Sequence, residues 1–248
     1  MSYQSRKQKI LKIVDEQGEV DVKELALKVE TSEITIRRDL AQMAADGMIF
    51  RTHGGAMKLS LANIPASFDQ KIAANIEQKD YIARLAAQEI RDGDIIFMDC
   101  GSTVFRLCQF IKNKRLKVIT NSLPVAYELS NTEVSLNLIG GELDSKRQAI
   151  HGQIAVEHIR RYQADKAFMG VDGISVENGL SAASEKEAEI TTAMAAHARQ
   201  TYLLCDSSKL GKDKYLKFAP INIIQYLVTD APQELIKPFI DIGLHVIN

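Results

Sequence analysis

The chain has 248 residues, 46% hydrophobic and 25% charged, and a formal net charge of −1. That length suits two domains of unequal size, and the composition is that of a folded globular protein able to bury a core. Near-zero charge excludes attraction to nucleic acid through a general positive field, so any such binding needs a local patch.

Ile10, Leu11, Ile13 and Val14 share one face of "RKQKILKIVDEQ", which predicts a first helix ended by Gly18. Asp21 caps a second, "VKELALKV", with Val22, Leu25, Ala26 and Val29 inward. The turn "VETS" leads into a third, "SEITIRRDL", capped by Ser32, with Glu33 at its positive end. Advancing about 100° per residue, Ile36, Leu40 and Met43 form its apolar stripe. Thr35 and Arg38 then face outward, and Arg37 sits on the flank. Short helix, short turn and third helix are the helix-turn-helix arrangement, in which the later helix enters the major groove.

"MIFR" and "THGGAM" follow as two short extended runs and read as a β-wing. Gly54 and Gly55 would allow positive φ at its tip, and Arg51 would reach a phosphate or the minor groove. An arginine fork contacts guanine or grips a phosphate. Arg38, central on the exposed face, suits base reading; Arg37 suits a phosphate. Arg6, Lys7, Lys9 and Lys12 make the first helix basic and would add backbone contacts. The plain alternative for an arginine pair is a solvated face.

Residues 58–75, broken by Pro65, lack periodicity and read as a linker between a domain at 1–57 and another at 76–248. Beyond it, "NIEQKDYIARLAAQEI", "SEKEAEITTAMAAHAR" and "APQELIKPFIDIG" have helical patterns. Between them "DIIFMDC", "LKVIT", "VSLNLIGG", "KAFMGVDG", "TYLLCDSS" and "IIQYLVTD" are short aliphatic runs ending in polar residues or glycine. This alternation predicts an α/β fold with a mainly parallel sheet. No apolar run approaches the ~18 residues of a membrane helix, and "MSYQSRKQK" precedes no apolar signal region. Cys100, Cys108 and Cys205 have no short paired spacing, and His151 and His158 have no metal-ligand spacing. A reduced, cytoplasmic setting is expected, with no structural metal and no cofactor.

Ligands of open parallel sheets bind beyond the carboxyl ends of the strands. There lie Asp99 to Thr103, Thr120 to Ser122, Gly140 and Gly141, Gly170 to Gly173, and Asp206 to Lys209. Gly101 with Ser102 and Thr103 at a helix start suits a phosphate, Lys209 would neutralise it, and Asp99 and Asn121 would hold sugar hydroxyls. The strand-end carboxylates Asp99, Asp172 and Asp206 with Lys209 are also capable of acid/base chemistry.

"SEITIRRDLAQMAADGMIFRTHGGAM" resembles the winged-helix signature of the DeoR family of bacterial transcription regulators. The resemblance implies DNA contacts for Ser32, Thr35, Arg37, Arg38, Arg51 and His53. "DCGST", "TNS", "IGG", "VDGIS", "EAEI" and "CDSSKLG" resemble that family's effector domain, similar in fold to ribose-5-phosphate isomerase and glucosamine-6-phosphate deaminase. The implied effector is a phosphorylated sugar, held by Asp99, Gly101, Ser102, Thr103, Asn121, Gly140, Gly141, Asp172, Gly173, Glu187, Asp206 and Lys209. Thr31, Val104, Lys71 and Thr191 depart from the family's frequent Val, Thr, Arg and Lys.

The expected function is a non-enzymatic, sequence-specific DNA-binding regulator, a repressor of a sugar-utilisation operon. Its expected partners are a double-stranded operator, the sugar phosphate and further copies of itself in a homodimer or larger homo-oligomer, with no membrane partner. A sugar-phosphate isomerase or deaminase bearing an extra module, and an interaction protein without DNA readout, are the alternatives.

Overall fold

A computed structural model describes residues 3–46, 48–52, 54–57 and 68–248. His53 and most of the expected linker therefore lie outside the described residues. Contacts divide the chain into two compact units, Met1–Ala66 and Ser67–Asn248.

The first unit contains α1 (Tyr3–Gln17), β1 (Glu19–Asp21), α2 (Val22–Val29), α3 (Glu33–Ala45), β2 (Phe50–Arg51) and β3 (Gly55–Met57). Gly18 takes φ 82° and its amide closes on the Val14 carbonyl, ending α1 as expected. The Asp21 side chain accepts from the Glu24 amide at 2.8 Å to start α2. That helix ends with Glu30 in the left-handed region at φ 57°, while the Thr31 amide reaches back to the Ala26 carbonyl. This tight reversal sets the turn between α2 and α3. Ile10, Val14, Leu25, Val29, Ile36, Leu40 and Met43 are buried together, so the three helical stripes read from periodicity meet in one core.

The wing holds a third strand, since β1 pairs with β3 and β3 with β2, all antiparallel. Its glycines differ from expectation: neither Gly54 nor Gly55 has positive φ. A Cβ on Gly55 would lie 2.1 Å from the Val20 carbonyl oxygen, so glycine is needed there for close approach of β1, not for a tip conformation.

The second unit opens with α4 (Phe68–Ala73), inside the segment read as linker. Phe68 is buried, its ring edge-on to Phe105 at 5.6 Å, and its amide donates to the Lys146 carbonyl. Packing thus assigns residues 68–75 to this unit, a fact that a six-residue helix leaves no periodicity to announce. Next come α5 (Ile76–Gln88), β4 (Ile95–Met98), α6 (Ser102–Phe105), α7 (Cys108–Ile111), β5 (Lys117–Thr120), α8 (Leu123–Leu129) and β6 (Ser135–Leu138). The hairpin β7 (Glu142–Asp144) and β8 (Ala149–His151) leads to α9 (Gln153–Ile159) and β9 (Ala164–Met169). Then follow β10 (Gly173–Ser175), β11 (Gly179–Ala182), α10 (Glu185–Ala196), β12 (Ala198–Leu204), β13 (Leu216–Ala219), β14 (Tyr226–Val228), α11 (Gln233–Asp241) and β15 (His245–Ile247).

Seven strands form one wholly parallel sheet in the order β15-β14-β12-β9-β4-β5-β6. Both faces are covered, as parallel sheets require. Alternation along β4 sends Phe97 into one apolar cluster with residues of α9, α10 and α11, and Ile96 and Met98 into the other with residues of α5, α7 and α8. Phe168, Tyr202, Tyr226 and His245 stack side by side across four neighbouring strands, with ring centroids 4.4–5.5 Å apart. The six expected strands are all present. The hairpin, the antiparallel sheet β10-β11-β13 and the edge strand β15 are additional. No described helix is long and apolar enough to cross a membrane.

Candidate functional site

In the first unit, α3 presents an exposed face. Ser32 caps it: its hydroxyl accepts from the Thr35 amide at 3.3 Å and lies 2.9 Å from the Thr35 hydroxyl. Thr35 is half-buried, and its hydroxyl takes part in this cap. Arg37 is exposed and 3.7 Å from Glu33 one turn earlier, a weak surface pair. Arg38 is exposed and has no hydrogen-bond or ion-pair partner among the described residues. Arg51 is exposed on β2. Arg6 does not serve the basic face expected of α1. Its guanidinium forks onto buried Asp39, with contacts of 2.6 and 3.1 Å, and fastens α1 to α3.

In the second unit, strand order reverses direction between β4 and β9, the switch point where open parallel sheets leave a crevice. The loops after these strands almost touch: a Cβ on Gly101 would stand 3.3 Å from the Gly170 Cα. Asp99 holds them there, accepting from the Gly101 and Gly170 amides at 2.7 Å each. Each oxygen of its carboxylate thus takes one backbone amide, and the group also lines the switch-point cavity. Burial pushes its pKa up to about 6 against those two hydrogen bonds.

The cavity at this point is lined by Asp99, Gly101, Ser102, Thr103, Asp172, Glu187 and Lys209, seven of the expected effector residues. It is also lined by Lys71, Cys100, Arg147 and Thr191. Lys71 reaches Asp172 at 2.6 Å. Burial disfavours the charged form of Asp172, but Lys71 and the Ala183 amide outweigh it and hold its pKa below the ordinary range. Arg147, buried on the β7–β8 turn, forms an ion pair with Glu187 of α10. Lys209 lies 3.8 Å from Asp206. Thr103 is buried, and its hydroxyl has no hydrogen-bond partner among the described residues. The α6 helix has four residues, so its macrodipole is small and its first-turn amides are the available donors. Burial pushes the Cys100 thiol far above its ordinary range, which leaves no nucleophilic thiolate.

The other expected effector residues lie outside this lining. Asn121 is fully buried and donates to the Ile150 carbonyl at 3.0 Å. Gly140 and Gly141 are exposed; Gly141 has φ 150° and a Cβ there would meet the His151 carbonyl at 2.6 Å. Gly173 is required by packing, since a Cβ would lie 2.4 Å from the Lys212 carbonyl. Asp206 caps the turn Ser207–Lys209 and accepts from the Ser208 amide. Conversely, Arg147 carried no signal in the sequence: it is one cation in the polar run "DSKRQ". Lys71 and Thr191 were visible only as departures from a family pattern.

Residues 6–60 match the family model of the DeoR-like helix-turn-helix domain, and residues 74–231 that of the DeoR C terminal sensor domain. The HTH-type transcriptional regulator YulB of Bacillus subtilis is 33% identical over 91% of this chain and 88% of its own. The glycerol-3-phosphate regulon repressor of Escherichia coli is 31% identical over 94% and 92%. Among solved structures, ribose 5-phosphate isomerase A of Methanocaldococcus jannaschii gives a TM-score of 0.41 at 19% identity over 55% of each chain. The chain belongs to the DeoR family of transcription regulators.

Proposed function

We propose that this protein represses a sugar-utilisation operon, binds its operator through α3 and the wing, and releases it when a phosphorylated sugar occupies the switch-point cavity. The observation that carries the effector half is the convergence of Lys71, Arg147 and Lys209 on the Gly101–Thr103 turn, with a buried, unpartnered Thr103 hydroxyl. The three cations are already matched by Asp172, Glu187 and Asp206. A simple anion would therefore gain little, whereas a ligand carrying both hydroxyls and a phosphate satisfies both signs of charge. The name of the glycerol-3-phosphate regulon repressor supports the same ligand class. Arg38 would read a base and Arg37 and Arg51 would hold phosphates, in a homodimer or larger homo-oligomer acting in the cytoplasm. The packing of Phe68 on Phe105 supports a sensor domain that begins at residue 68, with the DNA-binding domain in 1–57 and a linker between them.

Fluorescence anisotropy on the duplex upstream of the protein's own gene tests this reading. Arg38→Ala should weaken binding by about 1–3 kcal/mol and relax base preference. Arg37→Ala should weaken it evenly across sequences and lower the salt slope by about one. Adding sugar phosphates, but not the unphosphorylated sugars, should release the wild-type protein. Wild-type affinity and salt dependence in both variants, or equal release by phosphorylated and parent sugars, refutes the corresponding half.

A further inference from the structure

We infer that Ile34 reads a thymine methyl group in the operator's major groove, an inference that rests on the DNA-binding reading of α3. Ile34 is the second residue of α3 and is 81% exposed. Nothing local favours it there, because a β-branched side chain is a poorer helix former than alanine and loses rotamer freedom. From the stripe of Ile36, Leu40 and Met43, helical geometry puts both Ile34 and Arg38 within about 30° of the direction opposite the core. They sit one turn apart on the same outward face. Ala41, exposed and also on this side, lets the helix approach a surface closely.

The first turn of a recognition helix faces base edges, and its side chains lean toward the helix N-terminus. The hydroxyls of that turn, on Ser32 and Thr35, are bonded to each other. The apolar group of that turn that leads into the groove is the isoleucine, with Arg38 one turn on to read a base and Arg37 on the flank to hold a phosphate. Each base pair shows a distinct pattern in the major groove, and the thymine 5-methyl is its apolar feature. An exposed branched alkyl group flanked by arginines matches that feature and no hydrogen-bonding edge.

Duplexes selected from a random pool by the full-length protein supply the probe. Each thymine of the selected sequence is then replaced singly by deoxyuridine, which removes only the methyl group. For the wild type, affinity should fall about fourfold at one position of each half-site, the loss of roughly one methyl-sized contact. Ile34→Ala should bind the thymine duplex about fourfold more weakly and be indifferent to deoxyuridine at that position. Alanine raises helix propensity, so the fold is retained.

A selected sequence without thymine, a wild type indifferent to every deoxyuridine, or an Ile34→Ala variant as sensitive as the wild type overturns the inference while DNA binding stands. A changed oligomeric state in Ile34→Ala with deoxyuridine sensitivity intact also overturns it, because Ile34 would then face another protein surface. Failure to select any duplex brings down the DNA-binding reading itself.

Discussion

Thr103→Val should make the free protein more stable and its effector binding weaker. The Thr103 hydroxyl is buried in the switch-point cavity and has no partner among the described residues. An unpaired buried hydroxyl costs about 1–3 kcal/mol, and valine has nearly the same shape without that group. Taking the low end, the variant gains about 1 kcal/mol, which raises the melting temperature of a unit this size by about 2–4 °C. When a phosphate or sugar oxygen is present the hydroxyl is satisfied, so its removal then costs about 1.5–3 kcal/mol, or roughly ten- to a hundredfold in affinity. Circular dichroism melting of the ligand-free protein and calorimetry against a panel of sugar phosphates read the two quantities separately. A threonine kept only for packing would move stability down and leave affinity alone. A Thr103→Val protein that melts lower and binds the sugar phosphate as tightly as wild type therefore refutes the assignment.

Asp99 has its pKa raised from 3.8 to about 6 by burial, so between those values the folded chain holds a proton that the unfolded chain has lost. Its contribution to stability is present at low pH and falls as pH rises through that window, by up to on the order of 3 kcal/mol. Urea titrations of wild type and Asp99→Asn from pH 4 to 7 should show this fall in the difference between them; a flat or rising difference disproves it. Gly55→Ala should break the β1–β3 pairing and weaken operator binding while leaving sugar-phosphate affinity unchanged, because its Cβ would meet the Val20 carbonyl at 2.1 Å. Gly54→Ala, with nothing within 4 Å of its Cβ, is the neutral control, and equal melting of the two variants would show that the strands adjust.

The sequence by itself determined the elements whose signal is local. The stripe Ile36, Leu40, Met43 oriented α3, Ser32 and Asp21 marked helix starts, and six aliphatic runs marked six of the seven parallel strands, because side-chain periodicity and capping depend on neighbours within one turn or two. It also located the switch-point loops through Asp99 to Thr103 and Asp172. Tertiary structure decided how these residues are used. Asp99 looked only like a hydroxyl ligand, yet it also ties two loops together because β9 brings the Gly170 amide to it, 71 residues along the chain. Arg6 looked like a phosphate contact until α3 brought Asp39, 33 residues away. Arg147 and Lys71 enter the cavity because a two-strand hairpin and a six-residue helix fold over it, and neither element is long enough to leave a periodic trace. The function of a charged side chain depends on which opposite charge or amide it meets, and for these residues that partner lies far along the chain.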